Sequence, residues 1–369
     1  MYQDFKDLSK TIINYSLSLK EKEKVLISIS SEKCIPLVEY LINDIYEVKA
    51  FPFVEIKNDK INAKLLKYTN DERIQILKKQ EEFMIDMYDA FINIRYMEND
   101  FEEKIIPSIT RKSLGDALKK AHDIKINKRK WVLLNYPSKL DAYKASLPED
   151  EFFKYALDVM NVDYKELEQK IEPLKKLMEK TDKVRIKGND TDITFSIKNM
   201  PIRPCCGKYN IPDGEIYTAP VKTSVNGKIT FNTPSPYQGN VYHNVSLTFE
   251  NGKIVKCSCL EDNESLETIF NTDEGSSYVG EFSFGLNPLI KDPIGDILYD
   301  EKIIGSIHFT PGSAYKDAYN GNDSSIHWDL VLIQRKEYGG GEIYFDDALI
   351  RKDGLFVLDE LKHLNYDLK

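Results

Sequence analysis

Residues 182–198 read DKVRIKGNDTDITFSIK, and the character of the chain changes there. Apolar and polar residues alternate through this stretch, the period of half-buried strands and not of helices. Downstream, strand-like alternation continues, with Gly- and Asn-rich turns at NGK (226–228 and 251–253), GGG (339–341) and RKDG (351–354). Upstream the pattern differs. A helical stretch over 2–19 precedes the apolar KVLISIS (24–30), and a helix is expected over CIPLVEYLINDIY (34–46). VKAFPFVEI (48–56), AFINIRY (90–96) and WVLLNYP (131–137) read as further strands, separated by charged amphipathic stretches such as NDERIQILKKQEEFMIDMY (70–88). Short apolar strands alternating with helices predict a mainly parallel α/β sheet. A helical run over 148–180 closes this half. At 369 residues the chain exceeds what one core usually organises. Two domains are expected: an α/β domain over 1–180 and a β-rich α+β domain over 181–369.

Composition narrows the function. With 41% hydrophobic and 30% charged residues the sequence suits a soluble folded protein. The formal net charge is −9 and the basic residues are dispersed, which argues against a nucleic-acid binder, whose phosphate contacts need clustered Lys and Arg. No apolar run reaches the roughly 18–20 residues of a membrane span, so no membrane partner is expected. The N-terminus MYQDFKDLSK is polar and carries acids, unlike a signal peptide, and a cytoplasmic location is the default expectation. The first strand is not followed by G-x-G-x-x-G, and no G-x-x-x-x-G-K-[ST] occurs, so a nucleotide-binding reading of the first half has little support. The pairs Cys205-Cys206 and Cys257-x-Cys259 lack the spacing of zinc knuckles and read as ordinary reduced cysteines.

Metal-binding residue types gather in the second half. NDSSIHWDLVL (322–332) reads as a strand in which Ile326, Trp328, Leu330 and Leu332 share one face. The other face then carries His327, Asp329 and Val331, and burying an imidazole beside a carboxylate is costly unless they are paired or hold a metal. The chain has five histidines. His122 and His363 lie in charged or terminal stretches and read as solvent-facing, while His243 reads as a core or edge residue. His308, in IIGSIHFTPGSAY, shares the apolar strand context of His327. Glu281, in SSYVGEFSFGLNP, has apolar neighbours and needs a partner. Glu215 stands at a turn-to-strand junction in YNIPDGEIYTAP, ordinarily an exposed place, and Glu301 falls in the turn-like DEK of ILYDEKIIG. Imidazole and carboxylate together suit borderline divalent ions such as Zn, Co or Mn.

Taken in order, NIPDGEIYTAP (210–220), VGEF (279–282), LYDE (298–301), IHFTPGSAY (307–315) and NDSSIHWD (322–329), with KWVLLNYP (130–137) in the first half, resemble one known family. It is the thermophilic metalloaminopeptidase family, the group of aminopeptidase T, aminopeptidase S and PepS, and the resemblance runs over nearly the whole chain. It implies an enzyme that removes N-terminal residues from peptides with a free N-terminus, using two divalent metal ions per subunit (Zn, Co, Mn or Mg). It implies that Glu215, Glu281, His308, His327 and Asp329 hold the ions, with Glu301 a further acid at the site. It also implies that Glu281 sits at the reacting water as general base, that Tyr315 contacts the substrate carbonyl, and that a homodimer forms whose α/β domain shields the active site. HFTPG replaces the family's common H-x-A-L-G, so the pocket wall around Pro311 is expected to differ.

Two rival readings share these residue types. One is a dinuclear hydrolase acting on a phosphoester or a non-peptide amide. A phosphatase pocket should add Arg or Lys beside its ligands, and Lys316 and Arg335 are the nearest basic residues around the 307–329 segment. The other is a non-catalytic metal-containing binding protein, for which a base such as Glu281 and a donor such as Tyr315 would be superfluous.

Overall fold

The structure, a computed structural model, describes residues 2–99 and 101–366. The chain forms two compact units, one of Met1–Asn161 with Gly207–Pro212, the other of Val162–Cys206 with Asp213–Lys369. No described helix is long and apolar enough to cross a membrane.

In the first unit five parallel strands lie in the order Phe51–Ile56, Lys24–Ile29, Ala90–Arg95, Lys130–Asn135 and Asn210–Ile211. Val25, Leu26, Ile27 and Ile29 are all buried, as are Phe91, Ile92 and Ile94, so these central strands are covered on both faces as parallel sheets require. The helix Ile35–Glu47 starts with Pro36 in its first turn, where a missing N–H costs little, and buries Leu37, Val38, Leu41 and Ile45. The helix Asp71–Met87 is capped by Asn70, whose side chain accepts from the Arg73 N–H, and its Ile85 packs with Leu26, Tyr88, Phe91 and Ala121. The expected first helix runs over Tyr2–Lys10 and continues as a π-helix over Thr11–Ser16.

The second unit is built from antiparallel sheets of eight and five strands and a two-stranded hairpin. The five-stranded sheet has the order Leu330–Ile333, Ser306–Pro311, Val279–Gly285, Glu215–Thr218, Arg203–Cys205. One of its faces packs aromatically on the larger sheet. Phe195, from the Thr191–Ser196 strand, lies 4.9 Å from Phe282 and 5.1 Å from Phe309 between ring centroids, and Phe284 meets Phe345 and Phe356 at 6.1 and 5.9 Å. With Phe282, Phe284 and Phe309 turned inward, the period of two sends Glu281, Ser283, His308 and Thr310 to the opposite face. Pairing of Ser283 with both His308 and Tyr217 brings Glu215 and Tyr217 to that face as well.

The stretch 322–332 departs from its expected form. The regular strand is confined to Leu330–Ile333, and His327 makes only an isolated antiparallel bridge to Gly312. Its partner strand ends at Pro311, which has no N–H to continue the ladder. The alternation survives, since Ile326, Trp328, Leu330 and Leu332 are buried and Trp328 packs among Tyr237, Tyr242 and Phe270. Val331 is buried too, because its strand is covered on both sides.

Candidate metal centre

Five side chains from four separate stretches meet on the polar face of the five-stranded sheet. His308 Nε2 lies 3.0 Å from Glu281 Oε1 and 3.5 Å from Glu215 Oε2. His327 Nε2 lies 3.4 Å from Glu281 Oε2 and 3.3 Å from Asp329 Oδ1. Glu281 thus turns one oxygen toward each imidazole. Three donor groups result, Glu215–Glu281–His308, Glu281–His327–Asp329 and Glu301–His308–Asp329, each with its ligand atoms within 4.8 Å of one another. Glu215 and Glu281 are only 6% and 2% exposed, so Glu215 is not the exposed junction residue its local sequence suggests.

The second layer fixes how these groups point. His327 Nδ1 lies 2.8 Å from the Ser313 carbonyl and His308 Nδ1 3.3 Å from that of Glu301. A carbonyl can only accept, so each Nδ1 donates to it and each Nε2 is left facing the carboxylates, where it can hold a proton or, once deprotonated, a metal. Ser283 Oγ donates to Glu215 Oε2 at 3.2 Å, and Thr310 Oγ1 to Asp329 Oδ1 at 2.7 Å. Glycine is needed immediately before Glu281: a Cβ at Gly280 would stand 2.4 Å from the Ser313 carbonyl oxygen and 2.5 Å from that of Gly312. The same close approach carries the Ser313 carbonyl that orients His327.

Electrostatically the cluster is an excess of acids held by few cations. Burial opposes charge on His308, yet its hydrogen bond to Glu281 and the nearby Glu215 push its pKa up to about 9. His327 follows the same balance and is held well above the ordinary value, chiefly by Asp329 once burial is overcome. Burial would raise the Glu281 carboxyl, but the two imidazoles hold it below the usual range. Glu301 goes the other way, raised by burial to about 8 despite Lys302 beside it.

The donor set fits divalent metal. His327 Nε2 is buried and makes no hydrogen bond although two carboxylate oxygens stand within 3.4 Å. A divalent ion held among them would give the nitrogen and both oxygens a common partner. Imidazole nitrogens and carboxylate oxygens in two groups with one common Glu are suited to borderline divalent ions.

Sequence reasoning missed Lys302. Its ammonium is fully buried, 2.8 Å from Glu215 Oε1, 3.8 Å from Asp213 Oδ1 and in contact with Glu301 Oε1. A basic residue does therefore stand beside the candidate ligands, and it is neither Lys316 nor Arg335, the two that the sequence offered. It is engaged by three carboxylates, which hold it well above its ordinary pKa against the effect of burial. The DEK segment is accordingly not an exposed turn: Glu301 ends the short helix Ile297–Asp300, and Lys302 points into the cluster. The signal was the apolar Ile303-Ile304 that follows. Cys205, read as an ordinary cysteine, lies in a further group with Asp213 and Glu215, and burial keeps it a protonated thiol.

Tyr315 is 48% exposed, with its ring centroid 4.8 Å from that of His327 and 5.5 Å from that of Tyr217. Desolvation and the carboxylates of Glu281 and Asp329 hold its phenol well above the ordinary value, so it stays a proton donor. The remaining histidines lie elsewhere. His243 pairs with Glu261 at 2.6 Å, His363 meets the Lys170 carbonyl at 2.7 Å, and His122 belongs to the helix Ser108–Lys128 of the first unit.

Comparison with known proteins identifies the family. Residues 1–343 match the family model described as thermophilic metalloprotease (M29). Aminopeptidase AmpS of Bacillus subtilis is 35% identical over 126 residues, an alignment spanning 33% of this chain and 30% of AmpS. Aminopeptidase PepS of Streptococcus thermophilus is 20% identical over 89% of this chain and 92% of its own length. The solved structure of wild-type AmpT from Thermus thermophilus superposes with a TM-score of 0.79, covering 96% of this chain and 99% of that one at 18% identity, a likeness of fold. The chain therefore belongs to the thermophilic metalloprotease (M29) family.

Proposed function

We propose that this protein is an aminopeptidase that works with two divalent metal ions and removes the first residue of peptides bearing a free N-terminus. The observation that carries it is Glu281, whose two carboxylate oxygens face two different imidazoles at 3.0 and 3.4 Å. On this reading Glu215, Glu281 and His308 would hold one ion, and Glu281, His327 and Asp329 the other. A divalent ion so held lowers the pKa of water from 15.7 to about 7 and polarises a peptide carbonyl.

The protein's own groups supply the rest. Both Glu281 oxygens are committed to ligation on this reading, so the general-base role expected of Glu281 passes to Glu301. Glu301 groups with His308 and Asp329 and lies outside the two ligand sets of this reading, which leaves its carboxylate free to act on the water. It takes a proton from the attacking water and delivers it to the leaving amine. Tyr315 donates its phenolic hydrogen to the oxyanion of the tetrahedral intermediate. The same reading includes the homodimer that the resemblance implies and the cytoplasmic location expected from the polar N-terminus.

The test is a panel of leucine p-nitroanilide, its N-acetyl derivative and p-nitrophenyl phosphate, assayed after chelation and after reloading with Zn or Co. Hydrolysis of the free-amine substrate alone, abolished by chelator and restored by metal, is expected. Turnover of the phosphate ester, equal turnover of the acetylated compound, or indifference to chelator would overturn the reading.

A further inference from the structure

The first unit's sheet, numbered along the chain, has the strand order 2-1-3-4-5. In such a doubly wound sheet the chain leaves strand one in opposite directions to reach strands two and three. Ligands bind in the crevice this opens at the carboxyl ends of strands one and three. A cavity of about 410 Å³ lies there, lined by Ser30 just past the end of Lys24–Ile29 and by Arg95, the last residue of Ala90–Arg95. This is within the roughly 300–1,000 Å³ of small-molecule sites.

The lining combines basic and apolar side chains. Arg95, Lys57, His122 and Lys125 all border the cavity, with Asp59 the sole acid among its lining residues. His122 and Lys125 stand three apart on the helix Ser108–Lys128 and so share a face. Lys57 is paired with Glu55 at 2.7 Å. Among the described residues Arg95, His122 and Lys125 form no ion pair, and the Lys125 ammonium has only the Asn93 Oδ1 acceptor at 3.4 Å and the Phe91 ring at 4.8 Å. Burial lowers the pKa of Lys125, a penalty that an adjacent anion would remove. Trp131, Leu133, Ile29, Ile94 and Ile126 supply the apolar part of the lining.

We propose that this cavity is a second binding site, separate from the metal centre, for a small organic phosphate: a phosphate monoester whose body is a flat apolar or heterocyclic group. Unpaired cations from a strand end and a helix face take the dianionic head, Arg95 through its planar fork. The apolar part of the lining, with Trp131, takes the body. No Gly-rich turn follows strand one, so side chains do the work that main-chain amides do in P-loop and dinucleotide sites, and a search for those motifs passes over it.

Adenosine 5′-monophosphate is the probe, titrated into the full-length protein by calorimetry and tryptophan fluorescence, with adenosine and inorganic phosphate as the other arms. Saturable binding with a change in emission is expected, and adenosine and inorganic phosphate should each bind at least about tenfold more weakly. The chain has two tryptophans, so Trp131→Phe should abolish the optical change and leave the heat. Lys125→Met should weaken AMP about tenfold, the scale of one lost charge-assisted contact. The exposed His122→Ala, which does not threaten folding, should also weaken it. The proposal is overturned if AMP gives no saturable heat at millimolar concentration, if either control ligand matches it, or if His122→Ala and a folded Lys125→Met both bind as the parent does.

Discussion

On the proposed mechanism Glu281 holds metal and Glu301 moves the proton, and the two roles are separable by substitution. Glu281→Gln should cut bound metal well below that of the parent after dialysis. Glu301→Gln should keep most of it and lose about 10² to 10⁴ in turnover. Elemental analysis beside a p-nitroanilide assay checks both, and the reverse pattern would return the base role to Glu281. Lys302→Met removes the one ammonium that Glu215, Asp213 and Glu301 surround, so a loss of about 3–5 kcal/mol is expected and should appear in chemical denaturation of the chelated protein. His308 gives a pH dependence of definite sign. Its pKa in the metal-free fold, about 9, lies above the ordinary 6.5. The proton it holds therefore contributes stability that is full below pH 6.5 and fades as pH rises through 9. Chelated protein should lose melting temperature over that interval, and His308→Gln should flatten the slope.

At the scale of elements, the fit of the bulged strand Val279–Gly285 against the 312–313 turn decides where the ligands stand. Gly280→Ala would force a methyl onto two carbonyl oxygens at 2.4 and 2.5 Å. A loss of about 1–3 kcal/mol is expected, with weaker metal retention because the Ser313 carbonyl that orients His327 must shift. Thermal melts with and without metal would show both. Much of this was legible in the sequence. The apolar runs at 24–30, 90–96 and 131–137 are strands because nothing but a two-faced sheet hides so many consecutive apolar residues. Glu281, His308 and His327 stood out as polar groups in apolar surroundings. What stayed hidden depends on distant partners. Asn210–Ile211 is too short to show a period, yet it forms the fifth strand of the first sheet. Lys302 is ordinary by type, and only the convergence of Asp213, Glu215 and Glu301 explains its burial.

For the whole molecule, the division of labour follows sheet type. The antiparallel sheet has one face packed on aromatic residues and one free to carry polar groups, and the candidate metal centre occupies that second face. The parallel sheet buries its central strands on both faces, and the basic cavity lies where strands one and three end. The two units are not successive segments: the chain passes from one to the other near residue 161, again near 206 and once more near 212. That threading has a consequence for fragmentation. A protease that nicks the chain once, at any of the three passages, leaves the halves tethered through the remaining two. A fragment stopping at residue 161 would also lack the strand Asn210–Ile211 that completes the edge of its sheet. Limited proteolysis between residues 161 and 162 should therefore yield two bands under denaturing conditions and a single species on native sizing. Dissociation after that one cut would show that the 207–212 excursion contributes nothing to holding the halves together.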